Sequence, residues 1–254
     1  MSDELLVQND NGIWTATINR PERRNALSRN VLEDLNRFFG ETVIKEGGRA
    51  IVLRGAGEKS FCSGADLDNL SMPELRKFVQ AAVASIYNCP LPTVAMIYGY
   101  AVGAGCDIAS SCDFRVAEET ARMGINPVKL GLVYFPDSIK RFIDLIGLAN
   151  ARKLMLTGRF FPAPEAREMG LIHYVVPTDK VKETAYALAK ELAENAPLAM
   201  AGNKMIMNMV LKNHLTAEDM AAIDAAFDRA THSQDIVEGV TAVLEKRKPN
   251  FKGS

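Results

Sequence analysis

The chain reads as an α/β protein, and three observations carry that reading. Two short apolar runs, Ala50-Ile51-Val52-Leu53 and Thr93-Val94-Ala95-Met96-Ile97, have the length and residue types of buried strands. Each is followed by a turn rich in small residues: Phe61-Cys62-Ser63-Gly64-Ala65-Asp66-Leu67 after the first, and Gly99-Tyr100-Ala101-Val102-Gly103-Ala104-Gly105-Cys106-Asp107 after the second. Apolar residues at helical spacing fill the stretches between strands and dominate after Pro177.

The elements follow in chain order. Asp3–Val7 and Gly12–Ile18 flank the polar turn Asn9-Asp10-Asn11-Gly12 and predict a hairpin. Ser28 is a candidate N-cap for a helix over Arg29–Phe39, where Val31, Leu32, Leu35, Phe38 and Phe39 recur at helical spacing. Strands are predicted at Ala50–Arg54, Thr93–Ile97 and Phe114–Ala117, with a small-residue helix at Ala104–Ser111. A helix through Ile139–Ile146 and a strand at Ile172–Val176 come next. Beyond Pro177, helices are predicted over Val181–Asn195, Pro197–Lys212, Ala217–Thr231 and Ile236–Lys246. This pattern suggests a main domain over residues 1–195 and a helical region over 196–254, without low-complexity segments or repeats of solenoid length.

Composition bounds the function. A chain of 254 residues with 48% hydrophobic and 24% charged residues can bury a large core. A net charge of −1 gives no reason to expect nucleic acid or an anionic membrane as partner. The acidic start Met1-Ser2-Asp3-Glu4, and the lack of any run near the roughly 20 apolar residues of a membrane span, predict a soluble, cytoplasmic protein. Cys62, Cys89, Cys106 and Cys112 lack paired metal-ligand spacing, and His173, His214 and His232 are scattered, so reduced thiols and no metal site are expected. Met200, Met205, Met207 and Met209 fall among Ile206, Val210 and Leu211, which reads as packing rather than a soft-metal face. Ser63 and Ser138 have no histidine nearby and no Gly-x-Ser-x-Gly elbow is present, which speaks against a serine hydrolase.

The two small-residue turns carry the chemistry. Small side chains let a ligand approach backbone N–H groups closely, although tight turns and close helix packing use the same residues. Two such turns can form an oxyanion hole. A thioester oxygen gains negative charge as an enolate forms, so donors already aimed at it favour the transition state over the ground state. A helix starting at Ala104 adds unpaired N–H groups and a positive dipole end.

In their order and surroundings these motifs resemble the crotonase superfamily, also called the enoyl-CoA hydratase/isomerase family. Further stretches carry the resemblance along nearly the whole chain: Asn19-Arg20-Pro21 through Arg24-Asn25-Ala26-Leu27-Ser28, Val128-Lys129-Leu130-Gly131-Leu132, Leu156-Thr157-Gly158-Arg159, Glu165-Ala166 with Met169-Gly170-Leu171, and Glu245 to Phe251. The resemblance implies a crotonase-type β-β-α spiral core with a C-terminal helical trimerisation region, in a homotrimer or dimer of trimers. It also implies an acyl-CoA thioester substrate, with coenzyme A present only as part of that substrate. Carried onto this sequence, the oxyanion donors are the N–H groups of Ala65 and Ala104. The substrate and CoA positions are Arg24, Ala26, Ser63, Gly64, Asp66, Leu67, Gly103 and Lys248, although Lys246-Arg247-Lys248 also reads as a solvated basic tail.

The catalytic acids depart from the family pattern. Hydratases of this family hold water with two glutamates; here the first position falls on Asp107 and the second on Pro127. Asp107 keeps a carboxylate on an arm shorter by roughly 1.5 Å, or else is a helix-cap or surface residue. Pro127 cannot move a proton through its side chain. Asp137 is a candidate second acid, and equally a candidate N-cap of the helix that follows. The stretch Asn126–Tyr134 also resembles the methylmalonyl-CoA decarboxylase branch, which has proline at the second glutamate position and a tyrosine matching Tyr134. The histidine that branch carries at the first oxyanion turn is Ala65 here. Tyr134 therefore either lines the acyl pocket or packs its ring at the surface. The expected function is that of a hydratase/isomerase-type acyl-CoA enzyme using Asp107, Asp137 and Tyr134. A malonyl-type acyl-CoA decarboxylase and a non-catalytic acyl-CoA-binding protein are the alternatives.

Overall fold

The computed structural model describes residues 1–66, 71–195, 197–211, 232, 234–247 and 249. The chain forms two compact units, one of residues 1–124 and 160–211 and the other of residues 125–159 and 212–254.

The first unit opens with a hairpin of β1 (Leu5–Asp10) and β2 (Ile13–Ile18). Its last pair is Asp10 with Ile13, so the turn is Asn11-Gly12 alone and β1 runs three residues past the expected end at Val7. Both turn residues have positive φ, 52° and 85°, the pair of conformations a type I′ turn demands and Asn-Gly supplies. Ser28 caps α1 (Arg29–Arg37) as expected, its Oγ accepting from the Val31 N–H at 3.2 Å. A π-turn at Phe38–Thr42 buries Phe38 and Phe39 before α2 (Val43–Glu46).

A repeat of two strands and a helix then begins. β3 (Ala50–Gly55), β4 (Ser60–Cys62) and α3 (Met72–Asn88) form one unit; β5 (Thr93–Ile97), β6 (Tyr100–Val102) and α4 (Ala104–Ser111) form the next. β7 (Phe114–Glu118) and β8 (Arg122–Gly124) start a third, and β9 (Phe161–Pro162) and β10 (Tyr174–Val176) complete the strands. The first strand of each repeat enters a six-stranded sheet, order β1-β2-β3-β5-β7-β10, parallel from β2 onward. The second strand enters a four-stranded sheet, order β4-β6-β8-β9. This is the β-β-α spiral that the resemblance implies.

The core explains the apolar runs. β5 is buried at every residue and β3 at all but Arg54, as expected for parallel strands covered on both faces. One cover is the helix Val181–Glu194, whose Val181, Ala185, Leu188, Ala189 and Leu192 pack on Ala50, Val52, Val94, Met96 and Val116. The helix Pro197–Val210 is tied on by Lys204, which donates to Asp113 at 2.7 Å and to the Leu91 carbonyl at 3.1 Å.

In the second unit, α5 spans Pro136–Thr157 with a break at Gly147, far longer than the predicted 139–146. Pro136 takes the first helical position and Phe135 the cap, so Asp137 stands exposed in the first turn and is not the N-cap. The helix Gln234–Leu244 lies on the 3₁₀ turn Pro127–Leu130, where a Cβ on Gly239 would come within 2.5 Å of Leu130 Cα. The helix expected at 217–231 lies outside the described residues.

Candidate active site

The first turn leaves the end of β4. Gly64 has φ +106°, a conformation few residues other than glycine adopt, and it redirects the chain into Ala65 and Asp66. The segment Arg24–Leu27 braces the turn: the Leu27 N–H donates to the Gly64 carbonyl at 2.8 Å, the Asp66 N–H to the Leu27 carbonyl at 2.9 Å, and the Ser63 N–H to the Arg24 carbonyl at 3.1 Å. This single parallel bridge between Leu27 and Ala65 points the Ala65 N–H away from Leu27.

Two buried polar side chains hold the brace. Arg20 pairs with Asp66 and with Glu4, both at 2.9 Å, and donates to the Ala26 carbonyl at 2.8 Å. Asn25 donates to the Ala56 and Ser60 carbonyls at 3.0 and 2.7 Å and accepts from the Arg20 N–H at 3.2 Å. Arg24 and Asn25 both sit in the left-handed region, at φ 52° and 57°. Two successive non-glycine residues in that region store strain, which this network offsets. The role of Arg20 and Asn25 is not read from the sequence as a site role, although polar residues crowded into a stretch without apolar periodicity are the available signal.

The second turn reaches the same place from β6. Gly103, at φ 54°, donates to the Gly124 carbonyl at 2.8 Å and releases the chain into α4, whose eight residues are all buried. A Cβ on Gly105 would lie 2.6 Å from the Cys62 carbonyl oxygen, so the first turn of α4 rests on the end of β4 with no room for a side chain. A Cβ on Gly64 would lie 3.1 Å from the Val102 carbonyl oxygen and 4.0 Å from the Ala104 nitrogen. The two turns, some forty residues apart in sequence, therefore adjoin. Among the described residues no hydrogen bond uses the N–H of Ala65 or of Ala104.

Asp107 lies three residues after Ala104, on the same face of α4, and is 0% exposed. It is therefore neither a cap nor a surface residue. Its position in the first turn sets a carboxylate near the positive end of the helix. Burial pushes the thiols of Cys62, Cys106 and Cys112 up to about 12, so they stay protonated at neutral pH and serve as packing.

The other expected site residues fall as follows. Ser63 and Ala26 are half-buried, Gly64, Gly103 and Asp66 are buried, and Arg24 is exposed. The Asp66 carboxylate faces Arg20. Tyr134 is half-buried with its ring stacked on Phe135, centroids 4.9 Å apart at 23°. Tyr134, Asp137 and Pro127 all belong to the second unit. Leu67 and Lys248 lie outside the described residues. Among the described residues, no group of three or more histidine, cysteine or carboxylate side chains is placed to hold a metal, and no helix is long and apolar enough to cross a membrane.

Comparison with known proteins gives four findings. The family model described as enoyl-CoA hydratase/isomerase matches residues 8–254. A short-chain-enoyl-CoA hydratase of Clostridium acetobutylicum is 32% identical over 252 residues, covering 97% of this chain and 96% of its own. A 2,3-dehydroadipyl-CoA hydratase of Escherichia coli is 32% identical over 256 residues, covering 98% and 99%. A solved structure of methylmalonyl-CoA decarboxylase covers all of both chains at a TM-score of 0.91 and 26% identity.

Proposed function

The chain belongs to the enoyl-CoA hydratase/isomerase family, and on that premise we propose that it converts an acyl-CoA thioester by stabilising its enolate between the N–H groups of Ala65 and Ala104. The observation that carries this reading is the closeness of the two turns, a Gly64 Cβ falling 4.0 Å from the Ala104 nitrogen, with neither donor spent on a hydrogen bond among the described residues. Donors fixed by backbone need no reorganisation as charge develops, and one such donor contributes about 10²- to 10³-fold in rate.

Asp107 moves the proton. It is buried, one helical turn below a proposed oxyanion donor, so its carboxylate acts out of bulk water. Double-bond isomerisation takes a proton from one carbon and returns it to another, which a single carboxylate can do; hydration ordinarily needs a second group to hold water. The lone carboxylate of α4, with proline at position 127, thus favours isomerisation within this reading, and Asp137 is the second acid if water is added. Arg24, Ala26, Ser63, Gly64, Asp66, Leu67, Gly103 and Lys248 form the surroundings of the thioester and of its CoA portion. The working assembly is a homotrimer or dimer of trimers.

A second reading has its own support. Pro127, Tyr134 and the TM-score of 0.91 to methylmalonyl-CoA decarboxylase favour a malonyl-type acyl-CoA decarboxylase. There the C–C bond to the carboxylate breaks, CO2 leaves, and the electron pair passes to the thioester oxygen, so the enolate forms without a base. Ala65 and Ala104 keep the same task, and Tyr134 orients the departing carboxylate.

Mass spectrometry of the protein with enoyl-, dienoyl- and malonyl-type CoA thioesters in deuterated water, repeated with Asp107→Asn, tests these readings. Gain of water, or deuterium placed by isomerisation, that is lost in the variant is the expected result. Loss of CO2 that survives the variant would establish the second reading instead. Thioester binding without turnover in the parent protein would overturn both.

A further inference from the structure

Arg115, on β7, is the bulkiest fully buried side chain described, at 1% exposure. A buried cation is costly unless a carboxylate pairs with it. Arg115 makes no ion pair among the described residues; Lys204 takes the neighbouring Asp113. Its guanidinium donates instead to carbonyls: Cys112 at 2.6 Å, Ala109 at 3.2 Å and Ser110 at 3.4 Å from Nη1, and Leu171 at 2.7 Å from Nε. Nη2 lies 3.3 Å from His173 Nδ1, which also accepts the Arg115 backbone N–H at 3.2 Å.

Three of those carbonyls close the C-terminal end of α4. Such carbonyls have no partner within a helix and carry its negative pole. The opposite pole is the Ala104 N–H. Every residue between is buried, so little water screens one end from the other. Burial lowers the guanidinium to about 10, which leaves it charged at neutral pH. Burial and then the Arg115 charge lower His173 to about 4, which leaves it a neutral acceptor.

We propose that Arg115 is a positioning residue for the enolate chemistry: it satisfies the last carbonyls of α4 and, with its unpaired charge, strengthens the field that the Ala104 end of the helix presents to the thioester oxygen. This rests on the oxyanion reading above. Eight residues at 1.5 Å rise put the cation roughly 12 Å from Ala104, where a unit charge at an effective dielectric constant of 20 changes a rate about tenfold.

The test compares wild type with Arg115→Lys and Arg115→Gln. Its readouts are the infrared carbonyl band of bound butyryl-CoA labelled with ¹³C at the thioester carbon, and kcat and KM on the thioester that turns over. Glutamine keeps donors and loses charge; lysine keeps charge. The expected result is a band lowered in frequency on binding to wild type and to Arg115→Lys. Arg115→Gln loses part of that shift and about tenfold in kcat, with KM within about twofold. A folded Arg115→Gln with wild-type band and kcat would overturn the proposal, as would an Arg115→Lys as impaired as Arg115→Gln. If Arg115→Gln does not fold, Cys112→Asp decides: it sets a carboxylate beside the guanidinium and neutralises the charge with the arginine in place. The same losses are expected, and unchanged values would overturn the proposal. Wild-type protein that neither lowers the band nor turns over any thioester would overturn the oxyanion reading itself, and the role of Arg115 with it.

Discussion

Gly64 and Gly105 show how single missing side chains shape the site. Gly64→Ala would force φ +106° on a residue that resists it and press a methyl group to 3.1 Å from the Val102 carbonyl oxygen, displacing the Ala65 N–H. The expected outcome is a folded enzyme with kcat down about 10²-fold and KM little changed, measured by steady-state kinetics; an unaltered kcat would refute the placement of the donor. At Gly105 the added methyl group meets the Cys62 carbonyl oxygen at 2.6 Å and the Cys62 Cβ and Sγ at 2.7 Å, all buried, so Gly105→Ala should cost about 1–3 kcal/mol in denaturant unfolding. His173 sets a pH dependence of stability. Its ordinary value of 6.5 falls to about 4 on folding, so between these pH values the unfolded chain binds a proton that the folded chain refuses. Stability therefore falls as pH drops from 6.5 toward 4. Thermal melts should show a lower Tm at pH 5 than at pH 7, and His173→Gln should flatten the difference; an equal slope in the variant would contradict the assignment. The small residues of the two turns are legible in the sequence because their chemistry is that of the backbone. The partners of Arg20, Asn25 and Arg115 are not, because they are carbonyls and carboxylates brought together from distant segments.

Among the elements, the strands β3 and β5 and the helix α4 are read from sequence nearly to their ends, since burial on every side forces unbroken apolar or small residues. The strands β4, β6, β8 and β9 escape that reading: at two or three residues each, pairing rather than local composition decides them. No helix is read over 72–88 either, although Ser71 and Glu74 spell its start. The Glu74 carboxylate accepts from the Ser71 N–H at 3.1 Å and from Ser71 Oγ at 2.6 Å. The segment linking β2 to α1 is held by charge rather than by periodicity. Arg20 joins Glu4, just before β1, to Asp66, just after the first turn, and Glu4 in turn accepts from Ser28 Oγ at 2.5 Å. Arg20→Met removes the cation that pairs with the buried Asp66 carboxylate, 7% exposed, and chemical denaturation should record a loss of about 3–5 kcal/mol. A loss under about 1 kcal/mol would mean that the pair does not hold the turn.

For the molecule as a whole, the spiral explains why residues far apart in sequence share a site: each β-β-α unit delivers its second strand to the small sheet, and the ends of β4 and β6 open into the two turns. The assembly proposed from the family resemblance has support in the helix Pro197–Val210, where Met205, Ile206 and Met207 are each more than half exposed. Light scattering should therefore return three or six times the 27.8 kDa chain mass, and a monomer at all concentrations would contradict it. The enolate chemistry itself is open to direct sight in a crystal structure of the protein with a bound, unreactive acyl-CoA thioester. The thioester oxygen should lie about 2.7–3.1 Å from both the Ala65 and the Ala104 nitrogens, with the acyl α-carbon facing Asp107. A thioester oxygen bound away from those two nitrogens, or held by side chains instead, would contradict the proposed mechanism.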